Sequence, residues 1–224
     1  MKNSLQSTPS MSMQAFCAVG AALGWFAVAF QLYLIIVNKV ASVTETIILF
    51  FSFFTILTNI MVAVCFTVLI IKSGATFYKF ISKPATLTAV TVYITIVGIV
   101  YNLVLRFLWQ PQGWQRIVDE LLHTVIPVLF ILFWIFFVPK NTLKWKDSFS
   151  WLAYPFVYTV FILIRGIISD YYPYPFINVT ELGYSKALWN GVGLLIAFLA
   201  ASLIYIGIGK LASRRTPAKS PGNF

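Results

Sequence analysis

The run Ile47-Ile-Leu-Phe-Phe-Ser-Phe-Phe-Thr-Ile-Leu-Thr-Asn-Ile-Met-Val-Ala-Val-Cys-Phe-Thr-Val-Leu-Ile-Ile71 holds 25 residues without one charged side chain. A helix needs about 20 apolar residues to cross the ~30 Å hydrocarbon core of a bilayer, so this stretch reads as a membrane span. Five more stretches read the same way: Gln14 to Val37, Ala85 to Leu108, Leu121 to Val138, Trp151 to Ile168 and Leu188 to Gly209. Helices satisfy their own backbone polar groups in lipid, whereas a barrel would need a period-two alternation that these runs lack. The expected fold is an all-α integral membrane protein of six transmembrane helices. Residues 1–13 form an amino-terminal segment, 14–209 the membrane domain and 210–224 a basic tail, with no linker long enough to separate two domains. The first run is too long for a signal-peptide core and no small-residue cleavage site follows it, so it is expected to be retained.

Composition agrees: 60% of the 224 residues are hydrophobic and 10% charged, against roughly half and a quarter in soluble domains. The two cysteines, Cys17 and Cys65, lie inside apolar runs, and His123 is the one histidine. A disulfide framework and multi-histidine metal sites are thereby excluded. No glycine-rich phosphate loop occurs, and neither a metal nor an organic cofactor is expected.

The net charge of +10 depends for its meaning on where the charges fall. Lys2, Lys72, Lys79, Lys83, Lys140, Lys144, Lys146, Lys210, Arg214, Arg215 and Lys219 belong to one side of the membrane, with Asp147 as the lone acid there. On the other side Lys39, Arg106, Arg116, Arg165 and Lys186 balance Glu45, Asp119, Glu120, Asp170 and Glu181. Basic residues flanking spans stay cytoplasmic, so both termini are expected in the cytoplasm of a multi-pass protein of the plasma or bacterial inner membrane. The basic collar suits anionic lipid headgroups and does not form the free basic face that nucleic-acid binding requires.

Ionisable groups in a membrane usually face a bundle interior, and here they gather toward the outer side. Ser52, Thr55 and Asn59 recur on one helical face, with Thr58 beside it. Asn102 and Arg106 end the third span, Asp119, Glu120 and His123 open the fourth, Arg165 ends the fifth and Asn190 opens the sixth. An outward-facing polar pocket is expected, with apolar inner halves that argue against a continuous aqueous pore. Asp119 and Glu120 stand four and three residues before His123, placing either carboxylate within reach of its ring. Pro127, four residues on, lacks the N–H that would bond the His123 carbonyl, so the helix should bend and leave that carbonyl free. A histidine so oriented and facing a hydroxyl is the general-base arrangement of nucleophilic hydrolases. The same residues also read more plainly, His123 as an interfacial histidine bonding a neighbour and Thr55 as a threonine bonding the Phe51 carbonyl. Arg106 and Arg165 would hold an anionic head group or pair with the nearby acids. Tyr171-Tyr172-Pro173-Tyr174-Pro175-Phe176 suits the headgroup level as a stiff aromatic collar, with Tyr172 and Tyr174 its candidates for substrate contact.

The series Phe53-Phe54-Thr55-Ile56-Leu57-Thr58-Asn59, Asp119-Glu120-Leu121-Leu122-His123-Thr124-Val125-Ile126-Pro127, and Arg165-Gly166 with Tyr172-Pro173-Tyr174-Pro175-Phe176 resembles the bacterial branch of the androgen-induced, androgen-dependent TFPI-regulating membrane protein family. Animal members are six-span threonine hydrolases of fatty acid esters of hydroxy fatty acids. The resemblance implies that Thr55 corresponds to their nucleophile and His123, in His-Thr-x-x-Pro, to their catalytic histidine. Thr58 and Asn59 depart from the animal pattern, which leaves Thr58 as a rival nucleophile. The leading expectation is an intramembrane hydrolase in which His123 activates Thr55 against a lipid ester. Asp119 or Glu120 would orient the histidine, and Arg165, Asn59 or Asn102 would bind the oxyanion or a head group. A small-solute or lipid carrier using the same pocket, or a non-catalytic membrane partner, are the alternatives.

Overall fold

The computed structural model describes residues 11–38, 42–72 and 75–215. Lys2, Lys39 and Lys219 of the charge pattern lie outside the described residues. Among those described, the regular structure is entirely helical. It comprises α1 (Met11–Val37), α2 (Val43–Phe50), α3 (Phe54–Ile71), α4 (Ala75–Ile81), α5 (Pro84–Leu103), α6 (Gly113–Glu120), α7 (Ile126–Phe137), α8 (Asp147–Trp151), α9 (Ala153–Ser169) and α10 (Val179–Arg215). Five residues in π geometry, Leu121–Val125, join α6 to α7. Six helical stretches are long and apolar enough to cross a membrane: Met11–Val37, Phe54–Ile71, Pro84–Phe107, Gly113–Phe137, Asp147–Ser169 and Val179–Arg214. The chain is thus a six-span, all-helical, multi-pass membrane protein.

Helices α3 and α5 form the centre, more than half buried, while α1, α9 and α10 are the least buried of the spans. Side chains in lipid gain nothing from leaving a hydrocarbon solvent, so close packing and hydrogen bonds must hold such helices together. Gly20 and Gly24, four apart on α1, supply the close packing against α3. A Cβ at Gly20 would fall 2.5 Å from the Phe66 ring, and one at Gly24 3.0 Å from the Ala63 Cβ. Buried hydroxyls supply the rest: Trp134 Nε1 donates to Thr88 Oγ1 at 2.9 Å, and Thr95 pairs with Tyr205 at 2.8 Å. At the C-terminus of α7, Lys140 Nζ donates to the carbonyls of Trp134, Ile135 and Val138 at 2.8–2.9 Å, satisfying acceptors the helix leaves open.

Several details differ from the sequence reading. The fourth span begins at Gly113 rather than Leu121, so Asp119, Glu120 and His123 lie inside it, and α5 ends at Leu103, which leaves Arg106 in a separate 3-10 turn, Leu105–Phe107. The second apolar run is not one helix: α2 ends at Phe50, and α3 starts only at Phe54, after an extended Phe53 (φ −84°, ψ 124°). Ser52 turns its hydroxyl back to the Ile48 carbonyl at 2.6 Å. It therefore sits outside α3, and the expected Ser52–Thr55–Asn59 helical face does not extend to it. The last helix is also longer than the expected span, kinking at Gly183 (φ 75°, ψ 158°) and running on through Lys210 into the basic tail.

Candidate active site

The break before α3 creates the site. Helix N-termini leave backbone N–H groups without helical partners, and Phe53 supplies no side-chain cap. Two phenols from elsewhere fill the gap. The Phe54 N–H donates to the Tyr158 hydroxyl at 3.2 Å, and the Thr55 N–H donates to the Tyr174 hydroxyl at 3.3 Å. Tyr158 in turn donates to the Ser52 carbonyl at 2.8 Å. Thr55 Oγ1 lies 3.4 Å from the Tyr174 hydroxyl, so it does not make the expected back-bond to Phe51. Asn59, wholly buried one turn below, donates from Nδ2 to the Thr55 carbonyl at 2.8 Å and to the Leu122 carbonyl at 3.1 Å. It ties the threonine's turn to the π turn opposite.

That π turn carries His123. Pro127 has no N–H to give the His123 carbonyl, and Asn102 of α5 approaches that carbonyl instead, Nδ2 to oxygen 3.4 Å. Gly98 lets α5 come this close, since a Cβ there would lie 3.3 Å from both the His123 carbonyl oxygen and the Pro127 Cβ. His123 Nδ1 lies 2.9 Å from the Asp119 backbone oxygen and 3.2 Å from Asp119 Oδ1. A carbonyl oxygen only accepts, so Nδ1 carries the proton and the Nε2 lone pair is left available. Tyr101 stacks on the imidazole with centroids 4.1 Å apart and planes 15° from parallel, and its hydroxyl donates to Asp119 Oδ2. Of the two candidate acids, Asp119 orients the histidine. Glu120 pairs with Arg106 and accepts from Thr124 Oγ1 at 2.9 Å.

Thr55 and His123 line one cavity of about 450 Å³, together with Tyr101, Asp119 and Tyr174. Its volume falls in the ~300–1,000 Å³ range of ligand sites. Apolar walls come from Ile35, Phe50, Phe53, Ile56, Leu105 and Leu122, and Gln31 and Gln115, joined by a 2.8 Å hydrogen bond, stand at one edge. A smaller apolar chamber of about 50 Å³, lined by Ile96, Val100, Leu194 and Phe198, lies on the far side of Thr55 and Tyr174. Among the described residues no hydrogen bond joins Thr55 Oγ1 to His123 or engages Nε2. The two groups share a space that a reacting ester would have to bridge.

The remaining candidates fall outside the main cavity. Thr58 is fully buried and its hydroxyl pairs with Tyr154 at 3.2 Å, which turns it from the cavity toward α9. Asn102 spends its amide on the Gly98 and His123 carbonyls and the Thr124 hydroxyl. Arg165 donates to the Tyr171 carbonyl at 3.3 Å and lies over that residue's ring, making no ion pair with Asp119, Glu120 or Asp170. Tyr172 packs against Gly166, and Asn190 anchors the collar by donating to the Phe176 carbonyl at 2.8 Å. Sequence reasoning missed Tyr101 and Tyr158, because nothing in a one-dimensional pattern says which phenol meets which helix end. The Gly20–Gly24 spacing, by contrast, was a readable packing signal.

Comparison of the chain with protein-family models, curated proteins and solved structures returned no match in any of the three.

Proposed function

We propose that this six-span protein is an intramembrane threonine hydrolase of a lipid ester, with Thr55 as nucleophile and His123 as general base. The observation that carries the reading is the shared cavity: Thr55 from α3 and His123 from the π turn line the same 450 Å³ space. Asp119 leaves the histidine able to take a proton only at Nε2. The resemblance to the androgen-induced, androgen-dependent TFPI-regulating family supports the same pair and makes fatty acid esters of hydroxy fatty acids the first substrate class to test. The site faces outward and both termini lie in the cytoplasm, as the basic residues at the opposite end of the bundle favour.

Thr55 Oγ1 attacks the ester carbonyl carbon while Nε2 takes its proton. The tetrahedral intermediate expels the alcohol, which receives that proton, and an acyl-threonine remains. Water, deprotonated by the same nitrogen, adds to the acyl carbon and releases the acid, restoring Thr55. The apolar walls hold the chain, which enters sideways from lipid, and no cofactor takes part.

The test is fluorophosphonate labelling of purified wild type beside Thr55→Ala and His123→Ala, with the modified residue mapped by mass spectrometry. Labelling at Thr55 that His123→Ala abolishes is the expected result. A folded Thr55→Ala that still hydrolyses ester at the wild-type rate overturns the reading. Folded wild type that takes no label points instead to a carrier or binding protein.

A further inference from the structure

An acyl transfer needs a hydrogen-bond donor where negative charge develops on the carbonyl oxygen. None of the three groups that sequence offered for this lines the cavity: Asn59 and Asn102 spend their amides on backbone carbonyls, and Arg165 donates to the Tyr171 carbonyl. Tyr101, which does line it, gives its proton to Asp119. Tyr174 is the remaining hydroxyl beside the nucleophile. It is 8% exposed, lines both chambers and touches Thr55 twice, at N and at Oγ1. Its oxygen accepts the Thr55 N–H, and its own proton, directed at Oγ1 across a long 3.4 Å contact, can swing to an oxygen placed next to Oγ1. The ring is held for this: it stacks on Phe176 at 5.2 Å and 6°, and meets Phe53 edge-on at 6.0 Å.

We propose that Tyr174 is a catalytic residue, the donor to the oxyanion of the tetrahedral intermediate. This inference rests on the hydrolase reading above. As Oγ1 bonds to the carbonyl carbon and the C=O π pair moves onto oxygen, the Thr55 proton goes to His123 Nε2. The phenol proton stays on Tyr174 and bonds the new oxyanion. When the intermediate collapses the C=O re-forms, the alcohol leaves with the proton from Nε2, and the phenol returns to Oγ1. Water then repeats the sequence at the acyl-threonine with the same donor. The collar is in this view part of the reaction centre, because Tyr174 is placed by the neighbours that fix Tyr172 and Phe176.

The experiment compares wild type with Tyr174→Phe, and with 2,3-difluorotyrosine incorporated at position 174. The probes are p-nitrophenyl octanoate hydrolysis and the rate of fluorophosphonate labelling at Thr55, with thermal stability measured alongside. Phenylalanine keeps the ring contacts and loses the proton, so kcat and the labelling rate should fall about 100-fold, with KM within twofold of wild type. The fluorinated phenol keeps size and cap while changing acidity, and should alter kcat without moving Tm. Wild-type kcat and labelling rate in either variant overturn the proposal. So does a Tyr174→Phe whose loss tracks a fall in Tm while the fluorinated protein behaves as wild type, since that would make Tyr174 a helix cap only. If wild type itself is not labelled at Thr55, the hydrolase reading fails first, and the two failures are distinguishable.

Discussion

Nδ1 of His123 faces two acceptors of one residue, the carbonyl and the carboxylate of Asp119. Where a carboxylate alone fixes a catalytic histidine, replacing it by an amide lets the wrong tautomer in and costs about 10⁴ in rate. Here the backbone oxygen holds the same tautomer independently. Asp119→Asn should therefore cost less, about 10- to 100-fold in kcat, mainly by removing the charge that stabilises imidazolium. Tyr101→Phe keeps the stack and removes one hydrogen bond of the kind worth about 0.6 kcal/mol within membranes, so its rate should change less than threefold. Steady-state hydrolysis by the two purified variants checks this ordering. A Tyr101→Phe more damaged than Asp119→Asn would mean that the Tyr101 hydroxyl, not the charge on the acid, controls the histidine.

Helix by helix, the site depends on irregularity in otherwise ordinary spans. The break at Phe51–Phe53 exposes the Thr55 N–H, and the π turn at Leu121–Val125 carries His123. Hydropathy reads the six spans because bilayer thickness fixes their length, and it reads His123 and Thr55 because polar groups in such runs are few. It does not read the break, since Phe50, Phe51, Phe53 and Phe54 keep the run apolar and no proline or glycine marks the spot. An irregularity at His123 was legible for the opposite reason, since Pro127 removes a specific N–H; the form it takes is a π turn. Which face each helix turns inward is settled by packing against its neighbours, so Arg165 and Asn102, equally good donors on paper, end up occupied elsewhere. Two glycines test this dependence on packing. In Gly98→Ala the new methyl, 3.3 Å from the His123 carbonyl oxygen, should push α5 from the π turn. In Gly166→Ala it would fall 2.0 Å from the Tyr172 ring, which must move and take the collar with it. Overpacking of this kind costs about 1–3 kcal/mol. Gly166→Ala is expected to lose more stability than Gly98→Ala, and both to lose activity, as read by thermal denaturation and hydrolysis. Wild-type activity in Gly166→Ala would separate the collar from the reaction.

At the scale of the molecule the two ends of the bundle differ in kind. The cavity, the Arg106–Glu120 pair and the aromatic collar share one end, where α1, α5 and α9 finish. Lys72, Lys79, Lys83, Lys140, Lys144, Lys146, Lys210 and Arg214 stand at the other, with Asp147 the lone acid among them. An even number of spans puts both termini on one side, and the side is set by where basic residues resist translocation. In the proposed orientation the cavity end faces out of the cytoplasm, and a lipid substrate would be drawn from the outer leaflet. Cys17 and Cys65 are buried, which leaves the native chain quiet toward thiol reagents and suits it to single-cysteine mapping. Gln112→Cys, in the connection between α5 and α6, should react with a membrane-impermeant maleimide in intact cells. Lys144→Cys, between α7 and α8, should react only after the membrane is permeabilised. The reverse pattern would put the cavity on the cytoplasmic side and move its substrate to the inner leaflet, while leaving the chemistry of Thr55 and His123 untouched. Orientation and catalysis are thus independent, since one depends on charge at the span ends and the other on two side chains sharing a cavity.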